Sequence, residues 1–489
     1  MRPTSHLLLS LLLLLSSLPL TAQSPKVAVI ITVEELRSDI LKELLPTLPE
    51  GGLRYLESQG EVFTQVHHPL LRADATASEA IIHTGTLAVA NGISERRPYL
   101  RNSNGQRALS ESAMEDKDYM GYGTPERRSP IALTASTIGD QLKQSTVGSA
   151  YVYSVAPNAE EALIAGGQYA NGAFWIDDFT GKWTTSTYYK EGLPWYITKS
   201  HFARTNEDNR QYYKTTPQVN AEVFHTAKLL LKQSPLGKDG TPDLLTLHFY
   251  GGNTLKSTST SVGEYQTFYR EIDRLIAELI LTLNQELGKG NYLLAITGNA
   301  TAKEYLPLRS DQRTFQPERA KALINMYLIA KYERQNWVQE ITPSGELFLD
   351  RNLVKQNSQL DLHQLQDEVA DFLTEFSGIQ YAISDYRLRQ EALGREHDRA
   401  WQTALNKAPH KHRGDVIFGL LPGWSIEDNA TLAEGFTPYR MRSVATTFFL
   451  LTPATKGVVT DEEIDLRDLS TIISRELDIL PPSDTTIPY

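Results

Sequence analysis

Three runs of apolar sequence restrict this chain more than any other feature. Lys26-Val-Ala-Val-Ile-Ile-Thr-Val33, Asp243-Leu-Leu-Thr-Leu-His-Phe-Tyr250 and Asn291-Tyr-Leu-Leu-Ala-Ile-Thr297 are apolar with little alternation. That is the pattern of strands covered on both faces. Between the second and third lies Glu264 to Leu287. It carries Tyr265, Phe268, Ile272, Leu275, Leu279 and Leu283 at helical spacing and is stopped by Gly288-Lys-Gly290. Strand, long helix, strand is a βαβ unit. The expectation is therefore an α/β fold: a mostly parallel central sheet with helices on both faces.

Other segments fit this frame. Glu35 to about Gln59 reads as helix, interrupted at Gly51-Gly52 and closed by Gly60. Ala75 to Gly85 reads as a helix ending at a glycine, and Ser149 to Val155 as a short strand. Residues 320–412 have a different texture and are expected to form an α+β insertion. Within it Leu323 to Ala330 is read as a strand, Leu360 to Phe376 as a helix and Gln380 to Ile383 as a strand. The main pattern is expected to resume at Asp415 to Leu421, to continue at Thr446 to Leu451 and to end with a helix from Leu466 to Leu477. The main α/β domain is thus assigned to 23–319 and 413–489.

The first 22 residues read as an export signal. Arg2 is followed by a short apolar run from Leu7 to Leu20 and by small residues suited to cleavage after Ala22. The run is short for a membrane span, and polar sequence follows it at once. Cysteine is absent, which excludes disulfides, thiolate metal sites and lipid attachment to cysteine. Export without disulfides points to a bacterial periplasm or cell surface. The formal charge of −11 becomes −12 once Arg2 is removed. An acidic chain without clustered Lys and Arg is a poor nucleic-acid binder.

In an open α/β sheet, ligands bind at the carboxyl ends of the strands. Those ends read Val33-Glu34-Glu35, Phe249-Tyr250-Gly-Gly-Asn253 and Thr297-Gly298-Asn299. With further stretches, they resemble the phosphodiesterase and nucleotide pyrophosphatase branch of the alkaline phosphatase superfamily. The likeness is greatest to secreted bacterial alkaline phosphatases with a threonine nucleophile. The further stretches are His83-Thr-Gly85 through Asn91-Gly-Ile93, Thr185-Ser-Thr-Tyr-Tyr189, Gly288-Lys-Gly-Asn-Tyr-Leu293, Arg413-Gly-Asp-Val416 with Pro422-Gly-Trp424, and Pro438-Tyr439.

The resemblance implies a crevice that holds two zinc ions, with carboxylate and imidazole ligands. Carried over position by position, this chain departs nearly everywhere. Glu34 replaces the first aspartate, and Ala75 the nucleophilic threonine. Phe249 and Asn253 replace an aspartate and a histidine after the middle strand. Gly298 and Asn299 replace an adjacent aspartate and histidine, and Val444 replaces the last histidine. On the phosphate-holding side, Arg96 stands for an asparagine, while Asn158 and Glu160 stand for a lysine and an arginine. Glu34, Phe249, Gly298 and Val444 are expected to converge at one crevice.

Other residues also carry groups suited to chemistry. Thr76, with Ser78 nearby, is a candidate displaced nucleophile, set against an ordinary residue opening a helix. Glu34, Glu35, Asp39, Asp74 and Glu79 could form a carboxylate site for Ca²⁺ or Mg²⁺. Against that, Glu35 and Asp39 read as a solvated helix face and Asp74 as a cap. His67-His68 and His410-Lys-His412 are the histidine clusters, and neither falls on a family ligand position.

The leading expectation is a catalytically inactive relative acting as a secreted binding or scaffolding protein. Its partner, protein or small molecule, is not readable from the sequence, and no cofactor is expected. One alternative is an active metal-dependent phosphoric ester hydrolase with a relocated site, for which zinc would be expected. A third is a structural cell-envelope protein that binds through the insertion.

Overall fold

A computed structural model describes residues 24–70, 74–101, 107–199, 213–252, 262–299, 313–332, 336–358, 360–391, 398–421, 424–427, 439–440 and 445–482. The expected signal segment lies outside them.

The central sheet is built on the three apolar runs. The first is strand β1 (Val27–Val33). Helix α1 (Ser38–Leu44), a 3-10 turn and helix α2 (Leu53–Gln59) follow, so the interruption expected at Gly51-Gly52 is present and the first helix begins at Ser38 instead of Glu35. Pro46 and the pair Gly51-Gly52 account for the break, because proline lacks an N–H and glycine disfavours helix interiors. Strand β2 (Glu61–His67) leads to helix α3 (Ala75–Thr84). Asp74 caps α3 by accepting from the Ala77 N–H, and Gly85 ends it in the left-handed region.

Strand β3 (Val152–Val155), helix α4 (Ala159–Gly166), and strands β4 (Gly172–Ile176) and β5 (Trp183–Thr184) come next. Then follow helix α5 (Val219–Gln233), strand β6 (Asp243–Phe249), helix α6 (Val262–Glu286) and strand β7 (Tyr292–Gly298). After the insertion the chain returns with β8 (Thr446–Leu451) and β9 (Val458–Asp465). The nine strands run in the order β9-β2-β8-β7-β1-β6-β3-β4-β5. β1 pairs parallel with both β6 and β7, and β8 is antiparallel to its neighbours β7 and β2.

Side chains alternate across β1 and divide the core in two. Val27, Val29, Ile31 and Val33 pack toward α1, α2, α5 and α6. Ala28 and Ile30 pack on the other face, where Ile81 and Ile82 of α3 and Leu469 and Ile473 of the C-terminal helix cover the sheet. The architecture is the expected one.

The insertion has its own core, from Phe315 to Ile426. Two expectations fail here. Leu323–Ala330 lies inside helix α7 (Pro317–Lys331), not a strand. Its buried residues are Pro317, Ala320, Ile324 and Leu328, which have helical spacing, so the period outweighs the short apolar run. The segment Val416–Leu420 is a strand but does not rejoin the main sheet. It pairs antiparallel with Glu346–Leu349 and Ile379–Ser384 in a four-stranded sheet. The main sheet is regained only at β8. The expected helix over 360–376 is α8 (Leu362–Thr374), which packs on this small sheet.

Candidate functional site

The carboxyl end of β1 is where the chemistry should lie, and three segments meet there. Val33 pairs with Phe249 on one side and with Gly298 on the other. The Glu34 N–H donates to the Phe249 carbonyl at 2.9 Å, and the Asn299 N–H donates to the Val33 carbonyl at 3.3 Å. The structure therefore brings the backbones of Glu34, Phe249, Gly298 and Asn299 to one place. Asn253 and Val444 lie outside the described residues.

Side-chain direction decides what that place contains. Phe249 turns into the core on the α5/α6 face, so it does not fill the crevice. Its neighbour His248 points to the opposite face, level with Thr32 and toward Glu79 of α3. His248 Nδ1 lies 3.0 Å from Thr32 Oγ1, 3.2 Å from Asn299 Nδ2 and 3.5 Å from Glu79 Oε2. His248 Nε2 lies 3.8 Å from Glu34 Oε1. Thr32 donates its hydroxyl to Glu79 Oε1 at 3.1 Å, which leaves its lone pairs to accept from Nδ1–H. Glu79 also accepts from Asn299 Nδ2 at 3.0 Å, and its Oε1 lies 3.2 Å from His83 Nε2. Every one of these side chains is buried.

Electrostatics follow from this packing. Burial alone would lower the His248 pKa, but the carboxylates of Glu34 and Glu79 and the charge of Glu161 raise it to about 10. Burial alone would raise Glu79, but His248 and His83 bring it down to about 2. The carboxylates around His248 thus favour its protonated form.

Among the described residues, the arrangement does not fit the zinc pair that the family resemblance implies. A catalytic zinc takes about three protein ligands, and an imidazole must be neutral to bind it. The carboxylates of Glu34 and Glu79 raise the His248 pKa, which opposes metal binding at that ring. Among the described residues, no group of three or more His, Asp or Glu side chains is arranged to hold a metal ion.

Ala75, which the resemblance sets at the nucleophile position, is near this cluster. Ala75 is the first residue of α3, and its carbonyl lies 3.5 Å from Asn299 Nδ2. Thr76 is fully buried and donates to Glu161 Oε1 at 2.8 Å. Burial raises the Glu161 carboxyl, with Arg96 and His248 opposing. Gly298 has no room for the family's side chain. An added Cβ would lie 2.2 Å from Thr446 Oγ1 and 2.8 Å from the Leu36 carbonyl oxygen. Thr446 is fixed there, because its hydroxyl donates to Leu36 at 2.6 Å and accepts from the Gly298 N–H at 3.0 Å.

Arg96 and Glu160, which the resemblance sets on the phosphate-holding side, meet one another. Arg96 Nη2 donates to Glu160 Oε2 at 3.0 Å, and Ser112 donates to the other oxygen of the same carboxylate. Burial alone would raise the Glu160 pKa, but Arg96 and Ser112 outweigh it and hold it low. Asn158 precedes α4 and is buried without capping the helix.

The remaining candidates separate. Glu35 is not on a solvated helix face. It is buried at a positive φ of 60° between β1 and α1, and its side chain accepts from Tyr265 at 3.3 Å. Asp39 is half-exposed and pairs with the buried Arg37 at 2.7 Å. His67 is exposed, whereas His68 is buried and pushed down to about 4, chiefly by that burial. His410 lies 3.2 Å from the buried Asp385, beside Arg413.

Sequence reasoning missed His248 and Glu161. A histidine inside an apolar strand run is a signal for the first. The contact of Glu161 with Thr76 spans 85 residues and has no local signature.

Residues 28–443 match the family described as type I phosphodiesterase / nucleotide pyrophosphatase. The alkaline phosphatase PafA of Elizabethkingia meningoseptica is 23% identical over 76% of this chain and 77% of that protein. The alkaline phosphatase PhoV of Synechococcus elongatus is 22% identical over 96% of this chain and 92% of that protein. The crystal structure of PafA superposes with a TM-score of 0.80, covering 95% of this chain and 98% of PafA at 21% identity. With most of its length matched and its fold shared, this chain belongs to the type I phosphodiesterase / nucleotide pyrophosphatase family.

Proposed function

We propose that this chain is a non-catalytic member of its family, exported to a bacterial periplasm or surface as a binding or scaffolding protein. The contact between Arg96 and Glu160 carries the reading. Two positions that hold a phosphate in family members are satisfied here by each other, and Glu160 sets a negative charge where an anion would have to dock. A nucleophile reduced to the methyl group of Ala75 supports the same reading. Among the described residues no helix is long and apolar enough to cross a membrane.

A second reading rests on the relatives. Two of them are named alkaline phosphatases, and taken alone they favour an active phosphoric ester hydrolase. The buried pair Thr76 and Glu161 is the contact on which a relocated site could be built, with Glu161 taking the hydroxyl proton. Metal analysis of the purified mature protein, with phosphomonoester and phosphodiester assays, separates the two. The non-catalytic reading expects no stoichiometric zinc and turnover no faster than a Glu34→Ala control. Zinc-dependent turnover abolished by Thr76→Ala or Glu34→Ala would establish the hydrolase instead.

A further inference from the structure

At the carboxyl ends of β1, β6 and β7 the fold brings carboxylates from two elements, Glu34 and Glu79, into a place without solvent. Buried carboxylates are costly unless compensated by charge and hydrogen bonds. In the two-zinc crevice that the resemblance implies, divalent ions would supply that compensation. Here the groups present belong to the chain. His248 spans the gap, with one ring nitrogen toward Glu79 and the other toward Glu34. Both oxygens of Glu79 are engaged: Oε1 with Thr32 and His83, Oε2 with Asn299 and His248. A metal ion would have to displace these partners one by one.

We propose that His248, with Thr32 and Asn299, is an internal plug that replaces a metal centre. It closes the crevice with the chain's own groups and makes the fold independent of metal. This deepens the non-catalytic reading and rests on it. It has a further consequence. Removing the ring leaves a void bordered by the carboxylates of Glu34 and Glu79 and the hydroxyl of Thr32. That oxygen-rich set suits a hard divalent cation such as Mn²⁺ or Ca²⁺ better than zinc.

The experiment measures thermal midpoints and bound metal for the mature protein and for the His248→Gln, Glu79→Gln, His248→Gln/Glu79→Gln and His248→Ala variants. Each is measured in EDTA and in excess Mn²⁺. The wild-type midpoint is expected to be the same in both. His248→Gln is expected to lower it by roughly 5 °C or more, because the buried Glu79 carboxylate and Thr32 hydroxyl lose the ring that packs against them. Adding Glu79→Gln to that variant should recover part of the loss. His248→Ala should gain a saturable Mn²⁺-dependent upshift that the wild type lacks. A wild-type midpoint that falls in EDTA would overturn the plug. So would a His248→Gln protein as stable as wild type, losses that add in the double variant, or a His248→Ala protein indifferent to Mn²⁺. If His248 variants do not fold, the wild-type EDTA comparison and the Glu79→Gln midpoint still decide. A phosphate-ester assay on the same wild-type preparation keeps the two levels apart. Turnover would sink the non-catalytic reading, whereas an inactive protein destabilised by EDTA would sink only the plug.

Discussion

Arg96 and Glu160 lie 64 residues apart in the chain and meet through a 3.0 Å hydrogen bond between guanidinium and carboxylate. Glu160 is 5% exposed and Arg96 36% exposed, so the acid depends on the base more than the reverse. Arg96→Gln strands a buried charge. It is expected to cost about 2 kcal/mol, less than for a fully buried pair because Arg96 reaches solvent. Arg96→Gln/Glu160→Gln should recover most of the loss. Urea unfolding of the three proteins measures this, and equal instability of single and double variants would refute it.

Gly298 is closed to any side chain. Gly298→Ala drives a methyl against Thr446 and the Leu36 carbonyl, and is expected to destabilise by about 2 kcal/mol. Gly298→Asp, with a larger and charged side chain, should be worse. Differential scanning calorimetry reads both. An unchanged midpoint in Gly298→Asp would mean that the strand end yields more easily than the packing implies.

Restoring the nucleophile alone should do nothing. Ala75→Thr places a hydroxyl at the start of α3, near Asn299, and on the non-catalytic reading no metal activates it. Turnover of a phosphate monoester by Ala75→Thr is expected to equal the wild-type background. A clear rise would show that activation comes from groups other than a metal.

Two buried histidines should act on stability with opposite sign. His248 is raised to about 10 in the fold, against an ordinary 6.5, chiefly because Glu34 and Glu79 outweigh its burial. Its contribution is full below pH 6.5 and is lost as pH rises through 10. His68 is lowered to about 4 by burial. Its contribution is full above pH 6.5 and is lost as pH falls toward 4. Glu79, held near 2, adds a loss that begins below about pH 4.5. Urea midpoints against pH should show an alkaline decline that flattens in His248→Gln and an acid decline between pH 6.5 and 4 that flattens in His68→Asn. Identical profiles for wild type and His248→Gln above pH 7 would contradict the ion pair.

Much of the framework is legible in the sequence. The apolar runs of β1, β6 and β7 declare strands buried on both faces because such strands leave no room for alternation. Asp74 and Gly85 declare the ends of α3 through capping chemistry that acts within a few residues. The ordered stretches from Val33 to Tyr439 also declare the family. Tertiary structure alone decided the rest. Apolar residues at 323–330 suit a strand or a helix, and burial of Ile324 and Leu328 on one side chose the helix. The strand Val416–Leu420 could have joined either sheet, and its partners settled the matter. His248 and Phe249 are neighbours in the chain, yet one faces the crevice and the other the core, because successive strand side chains point to opposite faces. The meetings of Arg96 with Glu160 and of Thr76 with Glu161 cross 64 and 85 residues. Local sequence cannot specify such contacts, because they exist only once the sheet has brought distant segments to a common edge.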